Sequence, residues 1–155
     1  VPEKKAGLLW YRYDQGLKKA EEEKKNIMVN FYTQWCGFCK KMDKYTFDNK
    51  DVKKILEEGF VPIKVDAGSR TKLTLGKEKI TEKDLALRYG ITAYPNTLFL
   101  KPTGEKIPWN YNPVRGYVGA EIFSEVLNYL KDDLYKKISF KDYLTQKEQD
   151  KKEKK

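Results

Sequence analysis

The chain has 155 residues, of which 39% are hydrophobic, 14% aromatic and 35% charged. This suits one domain with a continuous core beneath a heavily ionic surface, and no run approaches the ~18 uninterrupted apolar residues of a membrane span. The net charge of +9 comes from 32 basic and 23 acidic residues, but most lysines alternate with acids, as in Glu21-Glu22-Glu23-Lys24-Lys25. No basic stripe interleaved with aromatics marks a nucleic-acid surface, so nucleic acid is not an expected partner.

The chain opens Val1-Pro2-Glu3 without a methionine, which fits a mature protein that has lost a signal peptide and equally a chain trimmed at its start. Leu8-Leu9-Trp10-Tyr11 predicts a short strand, and Asp14 is placed to N-cap a helix to about Lys25 with Leu17 and Ala20 inward. Ile27 to Tyr32 is a short apolar run of the buried, central-strand type, and it leads directly into WCGFCKK. A helix follows from Cys36 through Met42 to about Tyr45, then another over Asp51–Glu58 with Val52, Ile55 and Leu56 inward and Gly59 as its stop. Phe60 to Val65 is the next strand, its Pro62 pointing to an edge or a strand start. Residues 69–80 show no clear periodicity. Thr81, with Asp84 three positions on, opens a helix through Leu85, Ala86 and Tyr89 that Gly90 ends.

Asn96–Leu100 predicts a strand, Lys101-Pro102-Thr103-Gly104 a turn, and Lys106–Trp109 a short strand closing a hairpin. Ile122, Phe123, Val126, Leu127, Leu130 and Leu134 mark an amphipathic helix, and Ser139 caps a shorter one carrying Phe140, Tyr143 and Leu144. The sequence after Gln146, QKEQDKKEKK with its leading Gln, is charged and apolar-poor. We therefore expect a single domain over 1–146 and a disordered tail over 147–155. The element order predicts an α/β fold, a central mixed sheet with helices on both faces.

Both cysteines of the chain, Cys36 and Cys39, sit at a strand-to-helix junction. A structural staple gains little from so short a loop. Structural zinc wants four ligands, and the chain has no histidine and no second cysteine pair. A redox role fits better: at a helix start, unpaired N–H groups and the helix dipole favour the Cys36 thiolate, which is the nucleophile of thiol-disulfide exchange.

Three separated motifs resemble the thioredoxin-like family over nearly all of residues 8–135: NFYTQWCGFCKKMD, YGITAYPNTLFLKPTGE and GYVGAEIFSEVLNYL. Within it, CKKMDKYTFDNKDV, VPIKVDA and RGYVG look most similar to the SoxW-like proteins and the C-terminal domain of DsbD. The resemblance implies a thioredoxin-like fold and a thiol:disulfide oxidoreductase with Cys36 attacking, Cys39 resolving and Pro95 the cis-proline facing them. It implies no cofactor beyond the dithiol and no metal, a substrate surface of Trp35, Gly37, Phe38, Tyr94 and Pro95, and a periplasmic or otherwise extracytoplasmic place. The implied partners are proteins with disulfides or thiols, and a membrane thiol reductase of the DsbD or CcdA type that restores the dithiol. A monomer is expected.

Two departures bear on how the pair is tuned. Asn30 stands where thioredoxins hold a buried aspartate, and it cannot titrate. Asp43 falls one helical turn beyond Cys39, where the DsbD domain has a glutamate, and is a candidate for that task, with Lys40 a further tuning candidate. Gly-Phe replaces thioredoxin's Gly-Pro between the cysteines, Tyr94 is larger than the usual residue before the cis-proline, and Trp35 is expected to pack over the site. The expected activity is extracytoplasmic disulfide reduction. Oxidation or isomerisation of folding proteins is the alternative, and a noncatalytic thiol-metal carrier a more remote one. The Gly68–Ile80 segment, longer than in thioredoxin, is either a neutral insertion or a partner-selective loop.

Overall fold

The computed structural model describes residues 2–5 and 7–154, so the expected domain and tail ends at Val1 and Lys155 lie outside the described residues. Strands β1 (Glu3–Lys5) and β2 (Leu8–Trp10) form a hairpin, followed by α1 (Tyr13–Glu23), β3 (Asn26–Tyr32) and α2 (Gly37–Met42). A π-helical turn over Asp43–Phe47 continues α2. Then come α3 (Lys50–Gly59), β4 (Phe60–Asp66), a hairpin of β5 (Lys72–Leu75) and β6 (Glu78–Thr81), α4 (Glu82–Arg88), β7 (Asn96–Leu100) and β8 (Val114–Arg115). Helix α5 (Ala120–Lys131), a 3-10 turn at Leu134–Lys136 and α6 (Phe140–Glu153) complete the order.

The main sheet runs β4-β3-β7-β8, with β4 parallel and β7 antiparallel to β3. The apolar run of β3 reflects burial on both faces. Ile27, Val29 and Phe31 join Tyr13 and Ala20 of α1 and Leu85 and Ala86 of α4. Met28 joins Phe99 and the buried residues of α3 and α5, including Val52, Leu56, Phe123 and Leu127. Pro62 fits its strand because Tyr11 N–H donates to the Pro62 carbonyl, at 2.9 Å. Its missing donor therefore faces the single bridge at Tyr11 and not the β3 ladder.

Several expectations are corrected. Asp14 does not cap α1: the extended Arg12 does, without a side-chain bond. The Asp14 carboxylate instead accepts from Thr74 N at 2.9 Å, a tertiary demand that outweighs the capping preference. The 69–80 segment contains a hairpin, with Leu73 opposite Ile80 and both buried against the α1/α4 face. Gly76 supplies the positive φ of +62° that its two-residue turn requires.

Lys106–Trp109 forms only a bridge at Lys106, and β8 pairs with the start of β7 instead. The Asn112 side chain takes the place of a strand there, accepting from Phe99 N (2.9 Å) and donating to Phe99 O (2.8 Å) and Ile107 O (2.9 Å). Leu134 lies outside α5, in the 3-10 turn. Residues 147–153, expected as disordered, extend α6, whose start Ser139 caps at Asp142 N.

Helix α1 lies unusually close to β4. A Cβ built on Gly16 would sit 2.4 Å from the Ile63 Cδ1 and Cγ1 atoms, and Ile63 is fully buried. Gly16→Ala is expected to destabilise the fold by about 1–2 kcal/mol, since a clash of this kind outweighs the ~1 kcal/mol helix-propensity gain. Urea unfolding checks this; unchanged or raised stability would refute the close-packing argument.

Candidate functional site

The sheet positions the site at one end. β3 ends at Tyr32, and the chain turns through Thr33 to Trp35 before α2 begins with Cys36 as its N-cap, in extended conformation at φ −82° and ψ 106°. Cys36 and Cys39 form a disulfide with Cα atoms 5.2 Å apart, within the usual range. Cys36 Sγ accepts from Cys39 N at 3.0 Å, the N-cap bond that a serine or aspartate would otherwise provide. Cys36 is half-buried, whereas Cys39 is only 3% exposed. The two sulfurs thus differ in accessibility.

Pro95 reaches the same end from β7. Asn96 lies opposite Phe31, which puts Pro95 level with Tyr32, and the Tyr94–Pro95 peptide is cis. The Pro95 carbonyl accepts from Gly116 N at 2.8 Å, so the chain leading to α5 is tied to the cis-proline. A second cis peptide, Asn112–Pro113, is not signalled in the sequence reading and closes the loop that Asn112 braces.

The surrounding residues divide. Trp35 does not pack over the site: it is 88% exposed, because the chain has already left the sheet and none of the described residues covers its ring. Phe38 is 62% exposed. Gly37 is exposed, and a Cβ there would meet nothing within 4 Å, so no close approach in the free protein requires glycine. Tyr94 is half-buried and packs on the α1/α4 core. Lys40 is exposed on α2.

Asn30 and Asp43 are brought together by a residue the sequence reading did not single out, Lys64 of β4. Asn30 Nδ2 donates to Thr97 Oγ1 at 3.2 Å, and Asn30 Oδ1 accepts from Lys64 Nζ at 2.9 Å. Lys64 Nζ also bonds Asp43 Oδ1 at 2.5 Å, and Lys5 of β1 meets the other carboxylate oxygen at 3.0 Å. Asp43 caps α2 and its N–H donates to the Cys39 carbonyl, so this carboxylate is one turn from the buried sulfur.

The Lys64 side chain is only 11% exposed, and its ammonium lies 4.8–5.3 Å from the ring centroids of Trp10, Tyr32 and Phe47. Burial pushes its pKa down to about 8, partly opposed by Asp43 and assisted by repulsion from Lys5. Burial also raises Tyr32 to about 12, with Asp66 contributing. The missed signal was a lone cation in the otherwise apolar run Phe60-Val61-Pro62-Ile63-Lys64-Val65.

A disulfide at a helix start, half-buried at Cys36 and buried at Cys39, lies level with a cis-proline on a mixed four-stranded sheet. The family of thioredoxin-like domains matches residues 13–131. The chain belongs to the thioredoxin-like family. Protein disulfide-isomerase of Hordeum vulgare is 26% identical over 107 residues, covering 69% of this chain and 17% of that protein. The thiol:disulfide interchange protein DsbD of Colwellia psychrerythraea is 32% identical over 108 residues, or 70% of this chain and 16% of that protein.

This thioredoxin-like chain thus spans about a sixth of the length of these curated relatives. Among solved structures, a thioredoxin-fold protein from Helicobacter pylori aligns with a TM-score of 0.63 at 20% identity, covering 86% of this chain and 92% of that one. The oxidised DsbD C-terminal domain of Neisseria meningitidis aligns at 0.52 with 26% identity, covering 74% and 86%. The thioredoxin-like fold expected from the sequence is therefore established. No helix among the described residues is long and apolar enough to cross a membrane.

Proposed function

We propose that this protein is a thiol:disulfide oxidoreductase that reduces disulfides of other proteins outside the cytoplasm. The observation that carries the reading is the Cys36–Cys39 disulfide, in which the more accessible sulfur holds the helix start and the other is buried. Once reduced, Cys36 has the Cys39 N–H and the first turn of a helix to favour its thiolate.

The thiolate attacks one sulfur of a substrate disulfide, and the other sulfur leaves as a thiolate that takes up a proton. Cys39 then loses its proton and attacks Cys36 Sγ, expelling the second substrate sulfur, which is protonated in turn. The substrate gains two electrons and two protons, and the enzyme ends as the Cys36–Cys39 disulfide. A separate dithiol donor, of the kind carried by membrane thiol reductases, restores it.

The Asp43 carboxylate, one helical turn from Cys39 and held by the Lys64 ammonium, receives the proton that Cys39 releases. The cis-proline segment and the exposed Trp35 and Phe38 rings form the substrate surface, with the Tyr94 backbone free to pair with an extended chain.

Likeness to DsbD supports the extracytoplasmic place and the reductive direction, while likeness to protein disulfide-isomerase keeps the oxidative one in view. Equilibration with a glutathione redox buffer distinguishes them. A potential well below about −200 mV is expected, and a value near about −120 mV, that of a strong oxidant, would overturn the reductive reading.

A further inference from the structure

Three segments meet around the disulfide: residues 33–42 hold it, residues 91–97 carry the cis-proline, and residues 111–119 are tied to both. The Gly116–Pro95 hydrogen bond makes one tie. Lys41 makes the other, its ammonium 4.6 Å from the Tyr117 ring centroid and 5.9 Å from that of Phe38. In a chain with 23 acidic residues, these segments contain no aspartate or glutamate, yet they contain Lys40, Lys41 and Arg115.

All three cations are exposed, and among the described residues none has a carboxylate within the 4.0 Å of an ion pair. Asp43, the acid that follows this α2 segment, is already neutralised by Lys5 and Lys64. Lys41 is held in place by two aromatic faces, a geometry that attracts a cation through the ring quadrupole. Arg115 stands on the edge strand opposite Asn96, the residue after the cis-proline. The disulfide thus has exposed positive charge beside it on α2 and on the edge strand, together with the exposed Trp35 and Phe38 rings. The Asp66 carboxylate, which accepts from Gln34 Nε2 at 3.0 Å, lies on the β4 side.

We propose that this face selects acidic polypeptides: its partners present a disulfide flanked by aspartate or glutamate, with an apolar side chain for Trp35 or Phe38. The proposal rests on the exchange activity argued above and names its substrate class. A polypeptide is favoured over other polyanions because the cations lie beside a redox pair that only a thiol or disulfide can use. Complementary charge acts chiefly on encounter and on rejection of wrong partners, and is weakened by salt.

The test uses the full chain, reduced, with three cystine peptides of one sequence whose flanking positions are Asp, Ser or Lys, and a small neutral disulfide beside them. At low ionic strength, kcat/KM for the Asp peptide should exceed that for the Lys peptide by about tenfold or more, collapsing towards equality in 0.5 M salt. Lys41→Glu with Arg115→Glu should reverse the order, and the milder Lys41→Gln should reduce it. Lys152→Glu with Lys154→Glu makes the same change in net charge at the C-terminal end of α6 and should leave the ratio intact.

Equal rates for the three peptides, or an equal loss of preference in the α6 variant, would overturn the proposal. Inhibition by anionic vesicles or duplex DNA at least as strong as that by the Asp peptide would also overturn it, in favour of a general polyanion surface. Failure to reduce even the neutral disulfide would instead remove the exchange activity on which the proposal stands.

Discussion

Cys36→Ser is expected to reduce protein-disulfide turnover to background, a loss on the order of 10³-fold or more, because a hydroxyl at the helix start cannot supply the ionised nucleophile. Cys39→Ser should behave differently. Its Cys36 remains at the N-cap and half-buried, so the first exchange proceeds, but no buried sulfur is left to expel the substrate. Turnover should fall as far as in Cys36→Ser, while covalent adducts accumulate that dithiothreitol releases. Non-reducing electrophoresis of each variant after reaction with a protein disulfide distinguishes the two. Equal adduct formation by both variants would contradict the assigned order of attack, and so would adducts in Cys36→Ser alone. The prediction follows from burial: the two sulfurs differ far more in accessibility than in sequence context.

Much of this was legible before the structure. The strand running into WCGFC, the helix caps at Ser139 and Thr81, and the apolar periods of α3 and α5 are local signals, and they place the disulfide at its strand-to-helix junction. What sequence did not show depends on contacts between distant segments. Asp14 has the composition of a cap but serves Thr74, 60 residues away. Asn112 substitutes for a strand through three side-chain hydrogen bonds that no period announces.

The Leu73–Ile80 pairing reads as noise until α1 and α4 cover it. Trp35 was expected to pack because large aromatics usually do. Its exposure is a property of the loop that carries it, not of the residue. Asn30 and Asp43 were both singled out, but their joint role was not visible without Lys64, which the sheet register sets beside Asn30.

Lys64→Met should therefore change both stability and pH dependence. The native amine has its pKa depressed to about 8 from an ordinary 10.5 by burial. Below pH 8 the lysine is charged in both states, and the folded protein bears the full desolvation cost. Between about 8 and 10.5 the folded state has already released the proton that the unfolded chain still holds, so stability rises with pH across that window. The shift corresponds to about 3 kcal/mol.

Relative to Lys64→Met, the wild type should gain roughly that amount between pH 7 and pH 10.5, with tyrosine titration cancelling in the comparison. Urea unfolding of both proteins at the two pH values measures it; a difference that stays constant with pH would show that Lys64 is not held near 8. The same substitution removes the buried ammonium that holds the Asp43 carboxylate one turn from Cys39, leaving Asp43 with Lys5 alone, an exposed partner with little hold on it. The resolving step, followed as release of substrate from a preformed mixed disulfide, should then slow about tenfold or more at neutral pH and recover as hydroxide takes over the proton. Asp43→Asn keeps the side chain's shape but cannot take up a proton, so it should show the same slow release with Lys64 in place, whereas a purely structural role for the carboxylate would let asparagine support the native rate.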